Sequence, residues 1–241
     1  MNVKPYKDSE SGKKKQVSQM FDNIAGNYDF LNRFLSLGID IIWRKRAIQF
    51  IPMKTDLKIL DIATGTADLA LQINKNFPNS SITGVDISEN MLEVGRKKIA
   101  GKNLSNDIQL QYGDSENLPF SDQSFDIVSV AFGVRNFENL ELGLSEMKRV
   151  LKNGGRVIVL EFSLPSIFPF KQIFNFYFKY ILPLIGRLTS KDKQAYKYLY
   201  ESVQAFPSGS DFLKIMEKCG FREIKQKELT FGICSIYSGL K

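Results

Sequence analysis

The chain has 241 residues, enough to bury one full hydrophobic core, and no compositional break divides it. Its 33 Lys and Arg against 26 Asp and Glu give a formal charge of +7, which favours an acidic surface or partner. There is no histidine, and Cys219 and Cys234 form no CxxC pair, which argues against a zinc site and removes histidine-based acid–base and triad chemistry.

Residues 1–15 carry Lys4, Lys7, Lys13, Lys14 and Lys15 against Asp8 and Glu10, with few large apolar side chains, and read as a flexible basic tail. Only Tyr6 interleaves with these lysines, so a nucleic-acid arm is not expected. The tail has no apolar core of a signal peptide, and the expectation is a cytoplasmic protein. One domain then spans 16–241. Val17, Met20, Phe21 and Ile24 recur at helical spacing and Tyr28, Leu31 and Phe34 continue the pattern, predicting N-terminal helices within 16–55. A β run at 57–62, a small-residue turn at 63–67 and an amphipathic stretch with Leu69, Ile73 and Phe77 make a strand–turn–helix unit.

The alternation repeats as strand 81–86, helix 89–100, strand 108–112, a Leu118-Pro119 break and strand 125–132. A helix with Leu140, Leu144, Met147 and Val150 then turns at Gly154-Gly155 into strand 156–162. Residues 163–205 interrupt the rhythm with an aromatic-rich helical insertion. A helix with Phe212, Leu213 and Met216 ends at Gly220, and runs 222–229 and 233–238 flank Phe231-Gly232 as an antiparallel pair. The predicted fold is α/β: a Rossmann-like, mostly parallel sheet with an antiparallel C-terminal hairpin, N-terminal helices and a helical lid. The most apolar stretch, 162–188, is broken by Lys171, Lys179 and Arg187 and lacks the ~20-residue run that spanning a bilayer needs. The aromatics and lysines of 168–188 read either as a lid over an acceptor site that meets an anionic membrane surface, at the inner face of the membrane, or as a lid or core packed onto the sheet without a membrane contact.

Open α/β sheets bind ligands outside the carboxyl ends of their strands, and the first turn here reads Asp61-Ile62-Ala63-Thr64-Gly65-Thr66-Ala67-Asp68. Asp86, with Ile87 beside it, ends the second strand where an acid accepts hydrogen bonds from ribose hydroxyls. Asp114-Ser115 follow the third strand, within reach of an adenine amino group. A dinucleotide reading would set Asp68 against a pyrophosphate, which is repulsive. S-adenosylmethionine has no phosphate and carries a sulfonium and an ammonium, so a turn flanked by Asp61 and Asp68 suits it better. Three acids at three successive strand ends strengthen that reading.

The turn resembles the first motif of the class I methyltransferases, D-x-G-x-G-x-G, with Ala63 and Ala67 in place of two glycines and only Gly65 retained. A narrower resemblance runs along nearly the whole chain. It is carried by Phe21-Asp22-Asn23-Ile24-Ala25 with Tyr28-Asp29, by Asn117-Leu118-Pro119-Phe120, by Ala131-Phe132-Gly133-Val134-Arg135-Asn136, by Leu160-Glu161-Phe162-Ser163 and by Tyr196-Lys197-Tyr198-Leu199-Tyr200-Glu201-Ser202. These segments are similar to the bacterial demethylmenaquinone and ubiquinone-biosynthesis C-methyltransferases, whose usual first motif has glycine where Thr64 and Ala67 stand.

That resemblance implies S-adenosylmethionine contacts at Thr66, Asp86, Asp114, Ser115 and Ala131, a polyprenyl quinol as methyl acceptor, and no metal. Arg135 and Asn136 are then the candidates to stabilise a developing phenolate. Tyr196, Tyr198, Glu201 and Glu161 are candidates to bind the hydroxyls or relay a proton. Another phenolic acceptor, a nicotinamide-dependent oxidoreductase and a basic nucleic-acid-binding protein are the competing readings; the last lacks a recognition helix or a GXXG clamp. A homodimer is left open.

Overall fold

The structure is a computed structural model that describes residues 3–7, 9–181 and 193–241. Its frame is a seven-stranded sheet: β1 (Lys58–Ile62), β2 (Ser81–Asp86), β3 (Ile108–Tyr112), β4 (Phe125–Ala131), β5 (Leu151–Phe162), β6 (Arg222–Leu229) and β7 (Cys234–Leu240). The spatial order is β3-β2-β1-β4-β5-β7-β6. The first five strands are parallel, and β7 runs antiparallel between β5 and β6. The predicted sheet is therefore present, with β6 as its outer strand.

The helices are α1 (Lys13–Ile24), α2 (Tyr28–Leu35), α3 (Ile39–Ala47), α4 (Asp68–Asn76), α5 (Glu89–Ala100), α6 (Leu140–Val150), α7 (Phe170–Phe176), α8 (Lys193–Ala205) and α9 (Ser210–Lys218). Central strands are apolar on both faces because helices cover both faces. Along β1, Ile59 joins one core cluster while Leu60 and Ile62 join the other, all three fully buried. Side-chain caps fix two helix starts: Ser88 Oγ accepts the Met91 N–H at α5, and Asn139 Oδ1 accepts the Leu142 N–H at α6.

Two expectations are corrected. Strand β5 begins at Leu151 rather than 156, because Gly154, at φ 75°, and Gly155 do not end an element but shift the register against β4 within a continuous strand. The basic tail ends earlier than residue 15: Lys13–Lys15 open α1, and the Lys13 side chain is buried at 2% exposure. Residues before it also pack, since the Tyr6 N–H donates to Gln16 Oε1 and Val3 and Tyr6 lie against the α1 cluster. Of the predicted tail, residues 1, 2 and 8 lie outside the described residues, as do 182–192 of the insertion, Arg187 included.

Candidate functional site

A cleft opens at the carboxyl ends of β1, β2 and β4. Among its walls are Gly65, Asp86, Ile87, Asp114, Ser115, Ala131 and Asn136, all predicted from sequence. Asp86 is its electrostatic centre: Oδ2 accepts the Gly65 N–H at 2.8 Å and Oδ1 accepts the Ser88 N–H at 2.9 Å. Burial pushes this carboxyl up to about 6, against the backbone N–H donors of Ser88, Gly65 and Ile87 that favour its charged form. Each oxygen keeps lone-pair capacity for a ribose hydroxyl. Asp114 is already engaged, because Oδ2 takes Lys14 Nζ at 2.6 Å and Oδ1 takes the Glu116 N–H at 2.9 Å.

The turn between β1 and α4 is held left-handed at three points, Ala63 (φ 50°), Gly65 (φ 55°) and Ala67 (φ 65°). Alanine thus adopts the conformation that glycine takes without strain, at a cost of about 1–2 kcal/mol per residue. Ala63 also sets how close the β4 loop comes: a Cβ on Gly133 would stand 2.6 Å from the Ala63 Cβ. Small residues on both sides keep the cleft floor thin.

Asp61, Thr64 and Thr66 are buried beneath the cleft and do not line it. Asp61 accepts hydrogen bonds from Thr64 Oγ1 (2.7 Å) and Ser129 Oγ (2.8 Å), and burial pushes it to about 6. Thr66 Oγ1 donates to Asp29 Oδ1 at 2.5 Å. These side chains shape the turn. Asp68 is not a free negative charge either: Arg33 Nη2 lies at 2.7 Å, Lys98 Nζ at 2.5 Å and Arg44 Nη1 at 3.9 Å from its oxygens. The electrostatic argument from flanking acids therefore passes to Asp86 alone.

A second, largely apolar cavity of about 300 Å³ lies beside the cleft, and Phe21, Tyr28 and Phe132 belong to the walls of both. Arg135, Tyr196 and Tyr198 line it, together with Phe174 and Phe178 of the insertion. Arg135 is 6% exposed; its Nη1 donates to Glu161 Oε1 at 2.8 Å and to the Phe132 carbonyl, while Nε is buried without a partner. Glu161 does not face the cavity. It lies fully buried beneath Arg135, its carboxyl raised by burial against the opposing pull of that guanidinium. Tyr198 Oη donates to Asn136 Oδ1 at 3.1 Å, which links the two cavities by a hydrogen bond. Burial raises the Tyr198 hydroxyl far above its usual range, so it stays protonated at neutral pH.

Glu201 is not brought to the site. Its Oε1 pairs with Lys7 Nζ at 3.0 Å across an outer face of α8. Sequence reasoning missed Lys13 and Lys14, filed under the tail. Lys13 Nζ donates to the carbonyls of Arg135 (3.2 Å) and Phe137 (2.8 Å), so α1 ties down the turn that carries Arg135 and Asn136. Burial lowers this ammonium to about 8, offset in part by Glu116 and Glu138. Tyr28 and Phe132 stand inside the segments that carry the family resemblance, next to Asp29 and Gly133, and that position was their signal in the sequence.

The strand order and the acid ending β2 define the fold of a class I S-adenosylmethionine-dependent methyltransferase. A solved S-adenosylmethionine-dependent methyltransferase of Thermotoga maritima superposes with a TM-score of 0.67, at 21% identity, over 93% of this chain and 99% of that one. The [4+2]-cyclase SpnF superposes at 0.70 with 14% identity over 95% and 96% of the two chains, so the fold by itself does not fix the reaction. The chain belongs to the ubiE/COQ5 methyltransferase family, whose model matches residues 9–241. The demethylmenaquinone methyltransferase of Bacteroides fragilis is 46% identical over 240 residues, 99% of this chain and 97% of that protein. The ubiquinone/menaquinone biosynthesis C-methyltransferase UbiE of Geotalea daltonii is 47% identical over 237 residues, 98% of this chain and all of that protein.

Proposed function

We propose that the protein transfers a methyl group from S-adenosylmethionine to a ring carbon of a polyprenyl quinol, with demethylmenaquinol as the acceptor and menaquinol as the product. The observation that carries this reading is the shared wall of Phe21, Tyr28 and Phe132, which sets an acid-centred cleft against an apolar cavity containing a buried arginine. The printed names of the relatives from Bacteroides fragilis and Geotalea daltonii support the same acceptor class. The cleft residues fit the donor: Asp86 for the ribose hydroxyls, Ile87 and Met91 as apolar walls for the adenine, and Asp114 and Ser115 at its edge.

Bound there, S-adenosylmethionine would supply an electrophilic methyl on sulfur, needing alignment rather than an enzyme nucleophile. The chain's residues do the rest. Arg135 lines the cavity and is placed to stabilise the phenolate oxygen next to the attacking carbon. Asn136, in the wall of the cleft, accepts the hydrogen bond of Tyr198 in the cavity and so couples the donor side to the acceptor side. Transfer would exchange the donor's carbon–sulfur bond for a new carbon–carbon bond, leaving S-adenosylhomocysteine, and the ring proton of the methylated carbon would pass to water as the aromatic ring is restored. Among the described residues no group of three His, Cys, Asp or Glu side chains could hold a metal.

Turnover is expected with reduced demethylmenaquinone and labelled S-adenosylmethionine, and is expected to survive a chelator. An oxidised quinone is too electron-poor to attack a methyl cation equivalent. Equal turnover of the quinone without reductant, or loss of activity with the metal ions, would contradict the mechanism.

No helix among the described residues is long and apolar enough to cross a membrane. The elements that wall the larger cavity nonetheless expose large apolar side chains outward: Phe30 and Leu37 (86% exposed) around α2, Phe168 (76%) and Phe176 around α7, and Phe231 beside them, stacked on Phe170 at 3.8 Å. We assign this rim to the surface of an anionic membrane, where a polyprenyl tail stays while its head group enters the cavity. Lys171 and Lys179 add charge there, about 1 kcal/mol each near an anionic surface. Sedimentation with anionic vesicles is expected to fall in Lys171→Glu/Lys179→Glu, with short-tail substrate still methylated. Unchanged sedimentation of the double variant, or none by the parent, would remove the membrane contact.

A further inference from the structure

The larger cavity holds a second buried guanidinium. Arg44, on α3, is 6% exposed and lines the same cavity as Arg135. Its Nη1 pairs with Asp40 Oδ2 at 2.5 Å, and the other Asp40 oxygen accepts the Ser36 hydroxyl at 2.7 Å. The guanidinium carbon lies 5.7 Å from the centre of the Phe132 ring. Phe132 packs against Phe162 with centroids 4.9 Å apart, and the Arg135 guanidinium lies 5.5 Å from the Phe162 ring. The contacts thus run from Arg44 to Phe132, from Phe132 to Phe162 and from Phe162 to Arg135. Trp43 packs at about 6 Å from both phenylalanines and closes the wall behind them.

The two phenylalanine rings are tilted by 40°, and an acceptor ring held against this aromatic pair would have one guanidinium near Phe132 and the other near Phe162. Arg44 lies against Asp40 and, at 3.9 Å, Asp68, and Arg135 lies against Glu161, so neither guanidinium is an unbalanced charge and each suits a neutral hydroxyl before reaction. A guanidinium has five N–H donors, and the named ion pairs occupy Nη1 of each. A site with donors at both ends discriminates against a ring with one oxygen, because one buried donor is then left without its partner.

We propose that Arg44 recognises the second ring oxygen, across the ring from the one at Arg135, and makes the enzyme selective for 1,4-diols over singly hydroxylated arenes. This rests on the quinol reading above and adds a specificity residue to it. The test compares two short-tail acceptors: 2-prenyl-1,4-naphthalenediol, and 3-prenyl-1-naphthol, which keeps the hydroxyl beside the reacting carbon and lacks the one opposite. The parent is expected to prefer the diol at least about tenfold in kcat/KM, the worth of one buried hydrogen bond. Arg44→Met is expected to collapse that ratio towards one.

Arg44→Lys keeps a cation opposite Asp40 and covers the case in which the methionine variant does not fold. Its ratio is expected to be intermediate, with S-adenosylmethionine affinity unchanged. A merely structural Arg44 would lower both rates together and preserve the ratio, which overturns the proposal, as does a parent without preference. A parent inactive on both acceptors overturns the quinol reading itself.

Discussion

Replacing Asp86 with alanine is expected to weaken S-adenosylmethionine binding at least about tenfold, since hydrogen bonds to a charged acceptor contribute roughly 1.5–3 kcal/mol each. Isothermal calorimetry on the folded variant reads this directly, and unchanged affinity would remove Asp86 from the ribose site. The same carboxyl predicts a pH dependence. Its folded value is raised from 3.8 to about 6, so between those values the free folded protein holds a proton that the unfolded chain has lost. The contribution of Asp86 to stability is therefore fully present below the unfolded value and is lost as pH rises through about 6. Ribose binding needs the ionised form and runs the other way. Affinity is expected to fall as pH drops below about 6, and Asp61, with a similar value under the same turn, steepens the change.

Arg135→Ala is expected to lower kcat by about 10²–10³, the usual effect of removing one donor from a developing oxyanion. It also leaves Glu161 buried without its cation, which costs about 3–5 kcal/mol when a buried pair is broken from one side. The two effects separate in the double variant Arg135→Met/Glu161→Gln, which removes the stranded charge. Thermal stability is expected to recover towards the parent while kcat stays low. Recovery of kcat together with stability would show that Arg135 serves the fold and not the reaction.

Much of the architecture was legible because parallel strands between helices read as short apolar runs with fixed spacing, and β2 and β3 fall at the residues expected. Asp86 was legible for the same reason: a strand end fixes where a side chain must be. The first turn was harder. Thr64 and Thr66 carry polar atoms that suit a ligand or a neighbouring side chain equally, and only packing shows that Asp61 and Asp29 take them. On α8, tyrosines at 196 and 198 face the cavity while Glu201 turns to Lys7, a choice that an aromatic-rich helix does not announce in its sequence. Lys13 was the largest surprise. A lysine among lysines reads as solvated, and its burial depends on two carbonyls more than 120 residues away.

That last separation bears on how the molecule is made. Lys13 reaches the carbonyls of Arg135 and Phe137, so this tie of the first helix forms only after more than half the chain has left the ribosome, whereas its Asp22 meets Ser88 and Asn90 much earlier. The far side of the sheet waits longer still, because β7 must slot between β5 and β6 and is the last strand synthesised. Contacts of such sequence separation slow folding. During synthesis Val17 and Met20 of α1 wait for Ala195 and Tyr198 of α8 to complete their cluster, so part of this apolar face is covered late.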